Sequence, residues 1–431
     1  MRTILIVTIA ALALSGCGDN AKLPQQEGYG PKPILPKAKA ETIPTMHIAS
    51  ATGWPAGTMP VAAKGFTVTA FARDLDHPRW LYVLPNGDVL VAETNAPAKE
   101  AGGGIRGFVQ KQFMKMAGAG TPSANRITLL RDSDGDGTAE TRSTFLTGIN
   151  SPFGMALVGE AFYVAATDAV LRFPYKVGAM QLTGQGEKIV DLPAGPRNHH
   201  WTKNIIASPD GSKLYVTVGS NSNVGENGMT EEEGRAAIWE VDPAAKTHRI
   251  FASGLRNPNG MFFSPAGTLW TAVNERDEIG GDLVPDYITS VRDGGFYGWP
   301  YSYFGQHVDH RVAPERPDLV AKAISPDYAV GAHTGSLGLA FSTGANLGPG
   351  LAHGAFVSQH GSWNRKPFSG YRVIFVPFHD DNTSGSPREL LTGFLTEDGK
   401  AHGRPVGVAV DKRGGLLVAD DVGNTVWRVS Q

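Results

Sequence analysis

The groups in this sequence that could do chemistry recur at matched places. Histidines and arginines stand just ahead of short apolar runs, in His77-Pro78-Arg79-Trp80, His199-His200-Trp201-Thr202, Arg256-Asn257-Pro258-Asn259-Gly260, His333-Thr334-Gly335-Ser336 and Arg404-Pro405-Val406-Gly407. Carboxylates stand where a following run ends, at Glu93, Glu275, Asp420 and Asp421. A histidine with an ordinary pKa near neutrality can take a hydroxyl proton, while converging arginines stabilise negative charge on an acceptor. For any one histidine, a hydrogen-bonded core imidazole is an equal alternative. The recurrence at matched positions favours a shared site.

Such groups meet only if the intervening chain brings them to one edge. Each run follows a polar or glycine turn, as in Asn86-Gly87 before Val89-Leu90-Val91-Ala92, Gly159 before Phe162-Tyr163-Val164, and Asp210-Gly211 before Leu214-Tyr215-Val216. Gly267 before Leu269-Trp270-Thr271, Gly354 before Phe356-Val357-Ser358, and Gly414-Gly415 before Leu416-Leu417-Val418 complete the series. From His77 to Glu93, Ser151 to Thr167 and Arg404 to Asp420 the distance is 16 residues, the length of one hairpin. Strand, turn and returning strand bring start and exit to the same edge, and radial repetition gathers the edges about one axis. The pattern predicts an all-β, six-bladed β-propeller with loop insertions covering one face, at about 107–116, with helical spacing, and at 276–332. A sandwich or two separate β domains is the alternative, but sandwich turns come every 8–12 residues, closer than these repeats.

Composition agrees with many short strands: 54 glycines, 29 prolines, 41% hydrophobic and 19% charged residues. A formal net charge of -2 argues against a basic nucleic-acid surface. Residues 1–17 read as a lipoprotein signal, with Arg2, an apolar run and Leu14-Ser15-Gly16-Cys17, which contains the only cysteine. Lipidation at Cys17 would place the protein in a bacterial cell envelope, facing the periplasm. Residues 18–63 read as a Pro-rich tether with a reach of the order of 100 Å, and residues 64–431 as the catalytic propeller.

Taken in order, His199-His200-Trp201-Thr202-Lys203-Asn204, Gly254-Leu255-Arg256-Asn257-Pro258, Tyr297-Gly298-Trp299-Pro300, His360-Gly361-Ser362-Trp363-Asn364-Arg365 and Gly403-Arg404-Pro405-Val406-Gly407 resemble the PQQ-dependent soluble aldose dehydrogenases, in particular their sorbosone dehydrogenase-like branch. The resemblance implies pyrroloquinoline quinone and a calcium ion over the propeller axis, oxidising an aldose or related polyhydroxy aldehyde or alcohol. It implies His200 as general base, with the spacing to Pro209 as in that family, and Arg256 at the reacting quinone oxygen. Arg365 and Arg404 would hold the cofactor carboxylates, which suits planar guanidinium forks. Asn257, Asp421, His333 and Thr334 would complete the cradle, and the backbone at Asn274, Glu275 and Arg276 would supply oxygens to the quinone-bound calcium. Two departures stand out: Ser220 occupies the place of an aspartate that orients the base, and Arg365 that of a lysine.

Asp132, Asp134 and Asp136 alternate before a turn glycine, as in calcium loops, although the twelfth position is Ser143 rather than the glutamate of an EF-hand. A metal-free Asp-Gly turn is the equal alternative. A calcium-dependent lactonase and a propeller that only binds ligands are the competing functions. The electron acceptor is left unnamed by the sequence.

Overall fold

The computed structural model describes residues 20–41, 45–97 and 115–431. Cys17 and almost all of the 107–116 insertion lie outside the described residues.

Six antiparallel sheets follow one another along the chain as the blades of a propeller. The first four begin with Pro78–Val83, Gly154–Val158, Ile205–Ala207 and Pro258–Phe263, the last two with Ser336–Phe341 and Pro405–Val410. These innermost strands stand side by side around the axis. At the equivalent place on four of them is a glycine, because the neighbouring strand leaves no room for a side chain. A Cβ on Gly154 would lie 2.3 Å from the Ile205 nitrogen, on Gly260 2.4 Å from the Leu339 nitrogen, on Gly338 2.3 Å from the Val406 oxygen, and on Gly407 2.8 Å from the Arg79 oxygen.

The second strand of each blade is mostly apolar and nearly all buried, as in Val89–Glu93, where every residue is buried. Such strands lie between two blades and have no wet face, so period-two alternation disappears. Six apolar clusters result, one at each junction between adjacent blades. Trp80 against Phe153 (4.8 Å between ring centroids) ties the first blade to the second. The last blade closes the ring: Pro405–Val410, Leu416–Asp420 and Thr425–Ser430 come from the C-terminal end, and Thr67–Ala72 supplies the outer strand. Pairing of Ser430 with Thr67 and Val426 with Ala72 joins the two ends of the propeller.

Two expectations are corrected. The stretch 276–332 is not all insertion, since Pro285–Ser290 and Tyr328–Ala332 are the third and fourth strands of the fourth blade. The expected tether, over its described residues, does not stand away from the body. Tyr29–Gly30 adds to the edge of the fourth blade, Val61–Ala62 to that of the fifth, and Ser50–Ala51 pairs with Lys400–Ala401. Open sheet edges offer unpaired backbone groups, and a proline-interrupted segment can satisfy them in short pieces.

Candidate active site

The strand starts converge at one end of the axis, in two groups that touch. The first is built on the third and fourth blades. His200 precedes the innermost strand of the third blade, and its Nδ1 lies 2.8 Å from the Ser220 carbonyl oxygen and 3.1 Å from Ser220 Oγ. A carbonyl only accepts, so Nδ1 carries the proton and the neutral ring keeps its lone pair on Nε2. Burial, then the positive charge of Arg256, holds the His200 pKa well below its ordinary value.

Arg256 is 2% exposed and held on several sides. Its Nη1 donates to the Glu275 carbonyl at 2.7 Å, and Nη2 donates to Asn223 Oδ1 at 3.1 Å. Asp277 lies 3.5 Å from Nη2. Behind it, His333 places Nδ1 3.0 Å from Asp277 Oδ1 and Nε2 3.1 Å from the Gly280 carbonyl. With an acceptor at each ring nitrogen, His333 favours the doubly protonated form; its pKa is raised by Asp277, whose own falls to about 2 against the cost of burial as His333 and Arg256 face it.

The second group is built on Asp421 at the exit of the last blade. Its Oδ2 accepts from Arg79 Nη1 at 2.5 Å and lies 2.9 Å from His360 Nε2, with His77 Nε2 at 3.6 Å. Burial, with Arg79 nearby, pushes His77 down to about 4. Arg404 sits beside this group, its guanidinium 5.1 Å from the Tyr371 ring centroid. Arg79 also lies over the Trp201 ring at 5.9 Å, and Trp201 follows His200 in the chain. This contact links the Asp421 group to the segment that carries His200.

Four buried atoms here have no hydrogen-bond partner among the described residues: Arg79 Nε, Asn257 Oδ1, Arg404 Nε and Asp421 Oδ1. Unsatisfied buried polar atoms are costly, about 1–3 kcal/mol each. The two donors, carried by Arg79 and Arg404, suit the oxygens of an anion, while the two acceptors would need donors on a ligand.

Other expected site residues are engaged elsewhere. Thr334 donates to Asp286 Oδ2 at 2.9 Å, and that carboxylate also accepts the Ser336 and Glu275 amides. Arg365 donates to the Gly281 and Pro367 carbonyls at 2.8 and 2.9 Å and reaches Asp282 at 3.3 Å. Glu93 pairs with Arg126, and Glu275 pairs with the fully buried Arg276, which also reaches Asp309. The Asn274 and Glu275 carbonyls, expected to ligate calcium, both accept from Arg256 Nη1. A guanidinium in that place repels a second cation, so this arrangement does not fit a calcium ion.

The aspartate loop does gather oxygens. Ligand atoms of Asp132, Asp134, Asp136 and Glu140 lie within 4.8 Å of one another, while Ser143 turns away to the Met180 carbonyl. Several of those oxygens accept loop amides, as Asp132 does from Gly135 and Gly137. This loop lies on the first blade, away from the groups around His200.

Sequence reasoning passed over Asn223, which holds Arg256 and the Asp277 amide from a long loop. It also passed over Lys203. That side chain is 0% exposed and its Nζ donates to the carbonyls of His200 and Trp201, at 3.3 and 3.4 Å. Burial lowers its pKa to about 7. His360 and Arg79 stood in the quoted motifs, but nothing local marked them as partners of Asp421.

The sequence matches the family described as TrAA12-like over residues 120–286 and 318–431, more than half of the chain. It is 23% identical over 359 residues to a pyrroloquinoline quinone-dependent pyranose dehydrogenase of Coprinopsis cinerea, covering 73% of this chain but only 44% of that protein. The fold is similar to a calcium structure of a Trichoderma reesei carbohydrate-active enzyme of family AA12, at a TM-score of 0.69, 18% identity and coverage of 90% and 99% of the two chains. It is likewise similar to the holo form of the Coprinopsis cinerea pyranose dehydrogenase PQQ domain, at a TM-score of 0.68, 20% identity and coverage of 89% and 100%.

Proposed function

Since the chain belongs to the TrAA12-like family, we propose that it is a PQQ-dependent sugar oxidoreductase working at the centre between His200 and Asp421. One observation carries the reading: the same end of the axis holds a neutral, oriented imidazole and arginines with buried, unpartnered donors, which suit an anion with several oxygens. Pyrroloquinoline quinone, on which the C. cinerea relative depends, is such an anion. The finer substrate is an aldose, a pyranose or a sorbosone-type polyhydroxy aldehyde, with the whole protein tethered through Cys17 to a bacterial envelope membrane.

The quinone, when bound, supplies the acceptor for the hydride that leaves the substrate carbon. His200 Nε2 takes the substrate hydroxyl proton. The Ser220 carbonyl fixes the ring by accepting from Nδ1. A nearby carboxylate would raise the basicity of His200, whereas Arg256 lowers it, so the base is weak but unprotonated at neutral pH. Arg79 and Arg404 would face the acceptor's carboxylates, and Asn257 Oδ1 would accept from a donor on the bound ligand. Calcium enters no step, because Arg256 holds the carbonyls that would bind it.

The test is an absorbance titration of the purified protein with PQQ, with and without Ca²⁺, followed by dye reduction across a panel of sugars. Saturable binding with sugar-dependent reduction is expected. Absence of both sinks the reading, and lactone hydrolysis without quinone would install the lactonase instead.

A further inference from the structure

The described N-terminal segment reaches both arginines at which cofactor carboxylates were expected, and it does so with built contacts. At one end, the Lys22 amide donates to Asp282 Oδ2 at 2.6 Å, and the other oxygen of Asp282 pairs with Arg365. His47 stacks on Phe368, with ring centroids 3.8 Å apart, and holds its Nδ1 2.9 Å from the Arg365 carbonyl. At the other end, the Ala49 carbonyl accepts from Arg404 Nη2 at 3.3 Å. Trp54 Nε1 donates to Asp420 Oδ2 at 2.7 Å, and Asp420 Oδ1 accepts the Arg404 amide at 2.7 Å. These residues precede the region matched by the family, which begins at residue 120.

We infer that this segment is a working wall of the site, in which Trp54 and His47 are positioning residues that set Arg404 and Arg365. The inference rests on the proposed function for what Arg404 holds, but not for how either arginine is held. Trp54 acts through Asp420. That carboxylate is buried, and its Oδ2 is shared by the Trp54 and Trp427 indoles while Oδ1 takes the Gly423 and Arg404 amides. Burial still pushes Asp420 up to about 6. Deleting one indole donor raises it further, so the Arg404 main-chain amide, whose position sets where the guanidinium starts, loses its anionic acceptor at a higher pH. His402 faces Trp54 at 5.2 Å, and His360 faces Arg404, with Asp421 and His77 beside His360. These groups are common to every variant, so the comparison is between proteins at each pH.

The experiment uses the full-length protein and Trp54→Phe, which keeps the aromatic packing and removes only the N–H. Its melting temperature, its PQQ affinity by absorbance from pH 5 to 8, and phenylglyoxal labelling of Arg404 by peptide mass spectrometry are measured. Affinity should fall about tenfold, the cost of one charge-assisted hydrogen bond, with its acidic limb moved to higher pH and Arg404 labelled faster. Unchanged affinity, limb and labelling in a folded variant overturn the inference. A wild type that takes no PQQ sinks the proposed function instead, and labelling alone then decides the positioning role. His47→Phe, which keeps the stacking on Phe368, is the second variant should Trp54→Phe not fold. Faster labelling of Arg365 supports the inference and an unchanged rate overturns it.

Discussion

Nδ1 of His200 lies 2.8 Å from the main-chain oxygen of Ser220, so the backbone, and not a carboxylate, orients this imidazole. The hydroxyl of Ser220 is 3.1 Å away and donates to the Ser222 carbonyl at 2.7 Å, which makes it secondary. Ser220→Ala should therefore lower kcat for dye reduction only a few-fold, whereas His200→Ala should lower it by about 10²–10⁴, with PQQ affinity nearly unchanged. Equal losses in the two variants would reassign the orienting role to the hydroxyl.

Between His200 and Asn257 the chain must be bare. A Cβ on Gly219 would lie 2.4 Å from Asn257 Oδ1 and 2.6 Å from His200 Cβ. Gly219→Ala should displace both residues and cut kcat by about a hundredfold in a protein that still folds, because misplacement by an ångström is that expensive. Wild-type turnover in the variant would show that His200 needs no such placement.

Asp277 stands between His333 and Arg256. Its depressed pKa contributes stability above its ordinary value of 3.8, lost as pH falls towards about 2. His333, raised above 6.5, contributes below that value and loses it as pH climbs through its folded pKa. Asp277→Asn should cost about 3–5 kcal/mol, most between pH 3.8 and 6.5 where both partners are charged in the wild type. Urea melts at pH 2.5, 5 and 8 check this; a loss independent of pH contradicts the ion-pair account.

Lys203 gives the opposite kind of test. Its folded pKa of about 7 lies below the ordinary 10.5, so between these values the unfolded chain binds a proton that the native one does not. Stability from this group accordingly grows as pH rises through that window. Lys203→Met should flatten the slope, gaining on the wild type at pH 7 relative to pH 10 by a few kcal/mol. Parallel stability profiles would mean that the ammonium is not buried.

Much of the fold was legible because a blade is a local object. Strand, turn and strand lie within one hairpin, and Gly154, Gly260, Gly338 and Gly407 mark four of the six innermost strands through a shared steric demand. What closes the ring was not legible: Thr67–Ala72 pairs with a strand more than 350 residues away, and its short run of small and apolar residues resembles many others. The docking of residues 20–63 escaped for a similar reason. Proline density excludes regular structure but says nothing of which open edge the segment will satisfy.

For the site, the sequence by itself determined the inventory and the edge: which histidines and arginines lie at strand starts, and therefore at one end of the axis. Tertiary structure alone decided their pairing. Arg256 took the carbonyls of Asn274 and Glu275, Asp421 drew in Arg79 and His360, and Ser220 offered its backbone oxygen. Hydrogen bonds and ion pairs act over about 3 Å, and hairpin periodicity fixes which edge a side chain occupies but not which neighbour from another blade comes within that reach.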